Sequence, residues 1–130
     1  MKGALFAVMA KYKIEYYRDK NGKSEVLDFI RGLLECLETN KDARIQFRQI
    51  AKHFDLLSEH GTNLPEKYTK HIDENIWELR PGSNRIFYFC WHDNTFIMLH
   101  HFRKKTNKTP RNEILRAKSE RDDYLRRRNK

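Results

Sequence analysis

IWELRPGSNRIFYFCWHDNTFIMLHHFRKKTNKTP, residues 76–110, decides the fold. Three apolar runs, IWELR (76–80), RIFYFCW (85–91) and FIMLHHF (96–102), are separated by PGSN and HDNT. Both separators carry turn chemistry: proline, glycine, asparagine and aspartate favour the backbone angles that reverse a chain. Strands this close together predict an antiparallel meander. The stretch ends on Thr109-Pro110, a hydroxyl that can cap a helix followed by a residue suited to its first position. A helix from about 110 to the mid-120s is expected, with a thin apolar stripe of Ile114, Ala117, Tyr124 and Leu125.

Upstream, KYKIEYY (11–17) alternates like a short strand. Ser24 can cap a helix whose apolar positions Val26, Phe29, Ile30, Leu33, Leu34 and Leu37 recur at steps of three and four. A break at Thr39-Asn40 leads to a second stripe, Ala43, Phe47, Ile50, Ala51, Phe54 and Leu57, with Gly61 as its C-cap. The short connection predicts an antiparallel helical hairpin. Residues 62–75 read as a loop with a short extended piece near Tyr68–Ile72. The expected fold is therefore α+β: strand, helical hairpin, three-stranded antiparallel meander, C-terminal helix. In it a four-stranded sheet has helices on one face and a concave working surface on the other. Residues 11–130 form the one domain, and residues 1–10 are read as an N-terminal extension.

The chain carries 27 Lys+Arg against 18 Asp+Glu, a net charge of +9. Residues 100–130 hold 12 of these cations and 4 of the acids, so the excess is local and marks a surface for a polyanion or an acidic partner. No run approaches the roughly 20 apolar residues of a membrane span, and no membrane association is expected. Two cysteines, Cys36 and Cys90, do not make a disulfide framework; they read as reduced core thiols of a cytoplasmic protein. No Cys/His spacing suits zinc, and neither metal nor other cofactor is expected. His53 and His60 fall on or near the polar side of the second helix.

Hairpin arithmetic gives a map of the sheet. If PGSN is a four-residue loop, Arg80 pairs with Arg85. If HDNT closes on Asp93-Asn94, Trp91 pairs with Phe96 and Phe87 with His100. Paired residues share a face, and faces alternate by two. Arg80, Arg85, Phe87, His100 and Phe102 then lie on one face. Trp77, Leu79, Ile86, Tyr88, Leu99 and His101 lie on the other, under the helices. Two arginines opposite each other repel unless Glu78 or Asp73 neutralises them or an anion binds there. A phosphate site accounts for them: Arg80 and Arg85 as forks, Lys104 and Lys105 as point charges, Phe87 or Phe102 as a stacking plane for unpaired bases. Arg103, Lys108 and Arg111 extend the basic surface along an RNA. His100 is the acid/base candidate because its ordinary pKa lies near neutrality.

ELR at 78–80, FRKKTNKTP at 102–110 and the following Glu113-Ile114 and Ala117 resemble the RelE/ParE toxin superfamily, more narrowly its HigB-type, phage Gp49-like branch. The likeness spans residues 12–125. It implies the toxin of a type II toxin–antitoxin system, acting as a ribosome-dependent mRNA endonuclease without metal. It also implies a HigA-type helix-turn-helix antitoxin as partner, in a heterotetramer or other hetero-oligomer, with mRNA on the ribosome as substrate. By position, Arg80, Arg85, His100, Lys104 and Lys105 match the family's basic and strand-end histidine positions. The tyrosine that some RelE proteins carry after their basic run has no counterpart here, which leaves the general base open. A ParE-like toxin acting on DNA gyrase and a non-catalytic module binding RNA or the ribosome are the alternative readings.

Overall fold

A computed structural model describes residues 11–92 and 94–128. The expected extension at 1–10 lies outside these residues, as does Asp93 of the expected Asp93-Asn94 turn. The order is β1 (Lys13–Tyr16), α1 (Glu25–Glu35), α2 (Lys41–His60), β2 (Thr69–Asp73), β3 (Ile76–Leu79), β4 (Asn84–Trp91), β5 (Thr95–Arg103) and α3 (Arg111–Arg128).

Each helix of the hairpin begins where a polar side chain satisfies an otherwise orphaned amide. Ser24 accepts from Leu27 N–H at the start of α1, and Asn40 from Ala43 N–H at the start of α2. Gly61 ends α2 at φ 61°, and a Cβ there would lie 2.7 Å from the Tyr12 ring. That close approach lets Tyr12 reach Phe96, with ring centroids 5.1 Å apart, and seats β1 beneath the hairpin.

The five strands form one mixed sheet in the order β1-β5-β4-β3-β2, with β1 parallel to β5 and the other pairs antiparallel. The fifth strand is the extended piece near Tyr68–Ile72, here β2 paired with β3. The sheet is thus five-stranded, not four-stranded, because an edge strand of charged and polar residues (TKHID) lacks the apolar alternation that marks the others.

Helices cover both faces, not one. On one face Val26, Leu57, Leu79, Ile86, Tyr88, Phe96 and Met98 pack beneath the hairpin. On the other, Ala117 and Tyr124 of α3 pack on Ile76, Phe87, Phe89, Ile97 and Leu99, with Ile114 and Leu125 at the border. The thin stripe of α3 suffices because polar contacts share the work. Lys118 donates to Asp73 at 2.6 Å, Arg121 to Glu74 and Asn75, and the Tyr17 hydroxyl to Asp123 at 2.7 Å. No concave sheet face is left open beneath α3.

A bulge sets the rest of the register. Phe87 pairs with His100 as expected, but Tyr88 pairs with Met98, so Leu99 is the extra residue. From there on the pairing is displaced by one, and Trp91 faces Thr95, not Phe96. Leu99 therefore joins Phe87 and Phe89 under α3, on the face opposite to the expected one. Cys36 and Cys90 are exposed, not core thiols; the Cys90 thiol donates to His92 O. His53 is buried, not on a polar face, and its ring lies 2.7 Å from Gln49 O.

Candidate nucleic-acid interface

The turn between β3 and β4 and the segment after β5 meet at one end of the sheet. Asn84 N–H donates to Pro81 O across the turn, and Gly82 takes φ 62° there. Lys104 N–H donates to Ser83 O at 2.8 Å, which fixes the start of the 104–110 segment against the same turn. Arg80 and Arg85 flank the turn, and the register that pairs Leu79 with Ile86 brings them opposite each other.

Between them stands Glu78, whose residue is 1% exposed. Its Oε1 lies 3.4 Å from Arg80 Nε and 3.8 Å from Arg85 Nε. Its Oε2 accepts a hydrogen bond from Thr109 Oγ1 at 3.1 Å. Arg85 is buried too, and its Nη1 donates to Gly82 O and to Asn84 O, both at 2.8 Å. Arg80 is more open; its Nη1 donates to Glu66 O at 3.2 Å, while its buried Nε makes no hydrogen bond among the described residues. Burial raises the Glu78 carboxyl above its ordinary pKa, although Thr109 and both arginines pull the other way. Burial likewise lowers the Arg85 guanidinium, against the attraction of Glu78.

The result is a narrow cleft walled by Arg80, Arg85, Lys104, Lys105 and Lys108, with Phe102 at one side and Glu78 as the carboxylate among the lining residues. Among the described residues no carboxylate lies within ion-pair distance of the three lysines. A shallower depression shares Arg80, Lys108 and Thr109 with the cleft. It continues past Lys70 and Ile72 to Ile114. A polyanion crossing this end of the molecule would meet cations along its whole path.

The family description "Phage derived protein Gp49-like" matches residues 33–122. The chain belongs to the Gp49-like family, a RelE/toxin-like family. The match takes in every residue of the cleft. No curated protein matches the chain.

The structure brings six of the ten expected site residues of this Gp49-like chain to the cleft: Arg80, Arg85, Phe102, Lys104, Lys105 and Lys108. The other four lie elsewhere. Phe87 is fully buried and offers no stacking plane; its ring supports Phe102 from below, centroids 5.3 Å apart. Arg103 points to the hairpin face, where its Nη1 donates to Gln46 Oε1 at 2.8 Å and lies 3.3 Å from Asn84 Oδ1. Arg111 is exposed at the first turn of α3, beside the cleft but not lining it.

His100 departs most from expectation. It has no solvent exposure, and α3 covers it. Its Nδ1 lies 2.6 Å from Glu120 Oε1 and its Nε2 3.2 Å from Glu113 Oε1. The ring fastens α3 to β5 and presents neither nitrogen to the cleft. Position on the face was readable from register, but not the helix lying over it.

Two residues of the site were undervalued in the sequence. Glu78 is legible as a neutraliser of the arginines but not as a lining group. Thr109 reads as a helix cap, yet its hydroxyl goes to Glu78, and the first turn of α3 is closed by Pro110 O, which accepts from Glu113 and Ile114 N–H. The signal for Glu78 lay in the alternation of two that puts it on the same face as Arg80.

Proposed function

We propose that this protein is the toxin of a type II toxin–antitoxin pair, a metal-independent mRNA endonuclease that cuts messages on the ribosome. The observation that carries this reading is the cleft: five cations from two separate stretches, 80–85 and 104–108, around one narrow opening. Membership of a RelE/toxin-like family supports it.

RNA carries its own nucleophile, the 2′-hydroxyl, so the chemistry asks the protein for charge and position. The 2′-oxygen attacks the adjacent phosphorus, and the bond to the 5′-oxygen breaks. Negative charge grows on the phosphoryl oxygens as this happens. Arg80 and Arg85 are the forks for those oxygens; Arg85, already dehydrated, needs little reorganisation to act. A single well-placed donor of this type contributes about 3–4 kcal/mol to a transition state. Lys104 and Lys105 add field and can protonate the leaving 5′-oxygen. Phe102 offers an aromatic edge for a neighbouring base. The ribosome supplies the alignment of message and cleft, the remaining large contribution to rate.

The natural inhibitor is a HigA-type helix-turn-helix antitoxin in a hetero-oligomer with this chain. Acidic side chains laid over Lys104, Lys105 and Lys108 would relieve the same repulsion that RNA relieves.

The test is induced expression with 5′ ends mapped on translated and untranslated messages, together with purified protein acting on programmed ribosomes. New 5′-hydroxyl ends confined to translated messages are expected. Growth arrest with intact messages and broken DNA would instead assign the gyrase reading. Ribosome binding without new ends would leave a binding module.

A further inference from the structure

A carboxylate in a phosphate cleft needs a reason. Glu78 opposes the binding of the very anion that the five surrounding cations attract, and a buried charge is costly to keep. Its two oxygens are treated differently. Oε2 is tethered by Thr109. Oε1 accepts no hydrogen bond among the described residues and is held only by charge, between the Nε atoms of Arg80 and Arg85. The expected acid/base residue, His100, lies sealed beneath α3. The cleft therefore holds phosphate-binding groups and proton donors, and Glu78 alone among its lining residues is a carboxylate that can accept a proton.

We infer that Glu78 is the general base of this cleft, its Oε1 taking the proton from the 2′-hydroxyl of the message; this rests on the endonuclease reading above. The incoming phosphate takes over the two guanidinium groups and frees Oε1. The 2′-hydroxyl proton passes to Oε1 as the bond from the 2′-oxygen to phosphorus forms. The bond from phosphorus to the 5′-oxygen breaks, and that oxygen takes a proton from the ammonium of Lys104 or Lys105. The products are a 2′,3′-cyclic phosphate and a 5′-hydroxyl. Protonated Glu78 and neutral lysine then exchange with solvent to restore the starting charges.

Burial favours this role, because a carboxyl raised from its ordinary range is a better base near neutrality. The groups that face Glu78 are few. Arg80 and Arg85 flank it, and Lys70 pairs with it across β2. Thr109 reaches it from the segment after β5, and the lysines at 104, 105 and 108 line the same cleft beyond ion-pair distance. His100, with Glu113 above it, stands two strands away beyond Phe87.

Single-turnover cleavage on programmed ribosomes tests the assignment. Glu78→Gln keeps the volume and an oxygen for Thr109, so folding is expected to survive. Cleavage should slow roughly 100-fold or more, the usual weight of a general base, with ribosome affinity unchanged within about threefold. The wild-type rate should climb with pH through the raised carboxyl range and then level. Thr109→Val removes a hydrogen bond that favours the ionised form, so the climb should move to higher pH. That shift carries the test if Glu78→Gln does not fold. Glu78→Gln protein that cuts within threefold of wild type, or a climb unmoved by Thr109→Val, overturns the assignment and leaves the endonuclease reading standing. Wild-type protein that cuts no message removes both.

Discussion

Thr109 and Glu78, 31 residues apart, are joined by a 3.1 Å hydrogen bond from hydroxyl to carboxylate. With the Lys104 N–H bond to Ser83 O at the other end, it pins both ends of a short cationic segment against the β3–β4 turn. Lys105 and Lys108 are thereby carried to the two arginines by backbone and side-chain bonds that involve no lysine ammonium. Self-repulsion among the cations is borne by a segment that cannot swing away, which is what a preorganised anion site requires.

Arg80 and Arg85 should separate stability from activity. Arg85 is buried with Glu78 beside it, so Arg85→Ala leaves an under-compensated buried carboxylate and should cost about 3 kcal/mol in urea unfolding. Arg80 is more open and also lies near Glu66, so Arg80→Ala should cost less than about 1.5 kcal/mol. Both should lower single-turnover cleavage roughly 100-fold. Equal stability losses, or full cleavage by Arg80→Ala, would contradict the shared role.

Lys104 and Lys105 are exposed and carry no ion pair among the described residues. Their alanine variants should unfold within about 0.5 kcal/mol of wild type. Ribosome or RNA binding should weaken, and the slope of log affinity against log salt should fall by about 0.7–0.9 for each phosphate that is no longer neutralised. An unchanged slope would place these lysines away from the nucleic acid.

The sequence made the meander, both hairpin helices with their Ser24 and Gly61 caps, and the convergence of Arg80, Arg85 and the 104–108 lysines legible, because period and turn chemistry are local. What it hid is tertiary. The Leu99 bulge has no local signature in FIMLHHF; it displaces the expected pairing by one from Tyr88 to Trp91 and turns Leu99 to the other face. The thin apolar stripe of α3 did not show that it covers the sheet, where ion pairs to Asp73 and Glu74 and the grip on His100 hold it. That cover converts an exposed histidine into a buried one. The TKHID edge strand lacks an apolar pattern because Lys70 and His71 at its middle face solvent.

His100→Ala should loosen α3 without abolishing chemistry. It takes the ring away from Glu113 and Glu120, of which Glu120 keeps Arg116, at a cost of about 1–3 kcal/mol. Amide exchange across residues 111–128 should quicken first, since His100 is what fastens α3 to β5. Cleavage per folded molecule should stay within about fivefold. A thousandfold loss with α3 protection intact would instead put His100 in the reaction.

Mild acid should weaken the fold through His101. Its ring stacks on Phe29, centroids 3.7 Å apart, and Nε2 lies 2.9 Å from Asn84 Oδ1. Burial, aided by Arg103 and His100, pushes its pKa down to about 4 from an ordinary 6.5. The unfolded chain then binds more protons than the folded one between those values, so stability is complete above about pH 6.5 and falls as pH drops toward 4. Allowing for part exposure, the loss should be of order 2 kcal/mol. Asp123, held down to about 2 by Arg127 and the Tyr17 hydroxyl, acts in a separate window: its contribution fades only below the ordinary carboxylate range. Urea midpoints measured from pH 7.5 to 4.5 should therefore decline in wild type. They should decline clearly less in His101→Gln, which keeps an amide donor for Asn84 and cannot charge; the remaining fall belongs to His53, whose pKa burial also lowers. A decline of the same size in both proteins would assign the acid sensitivity to other groups.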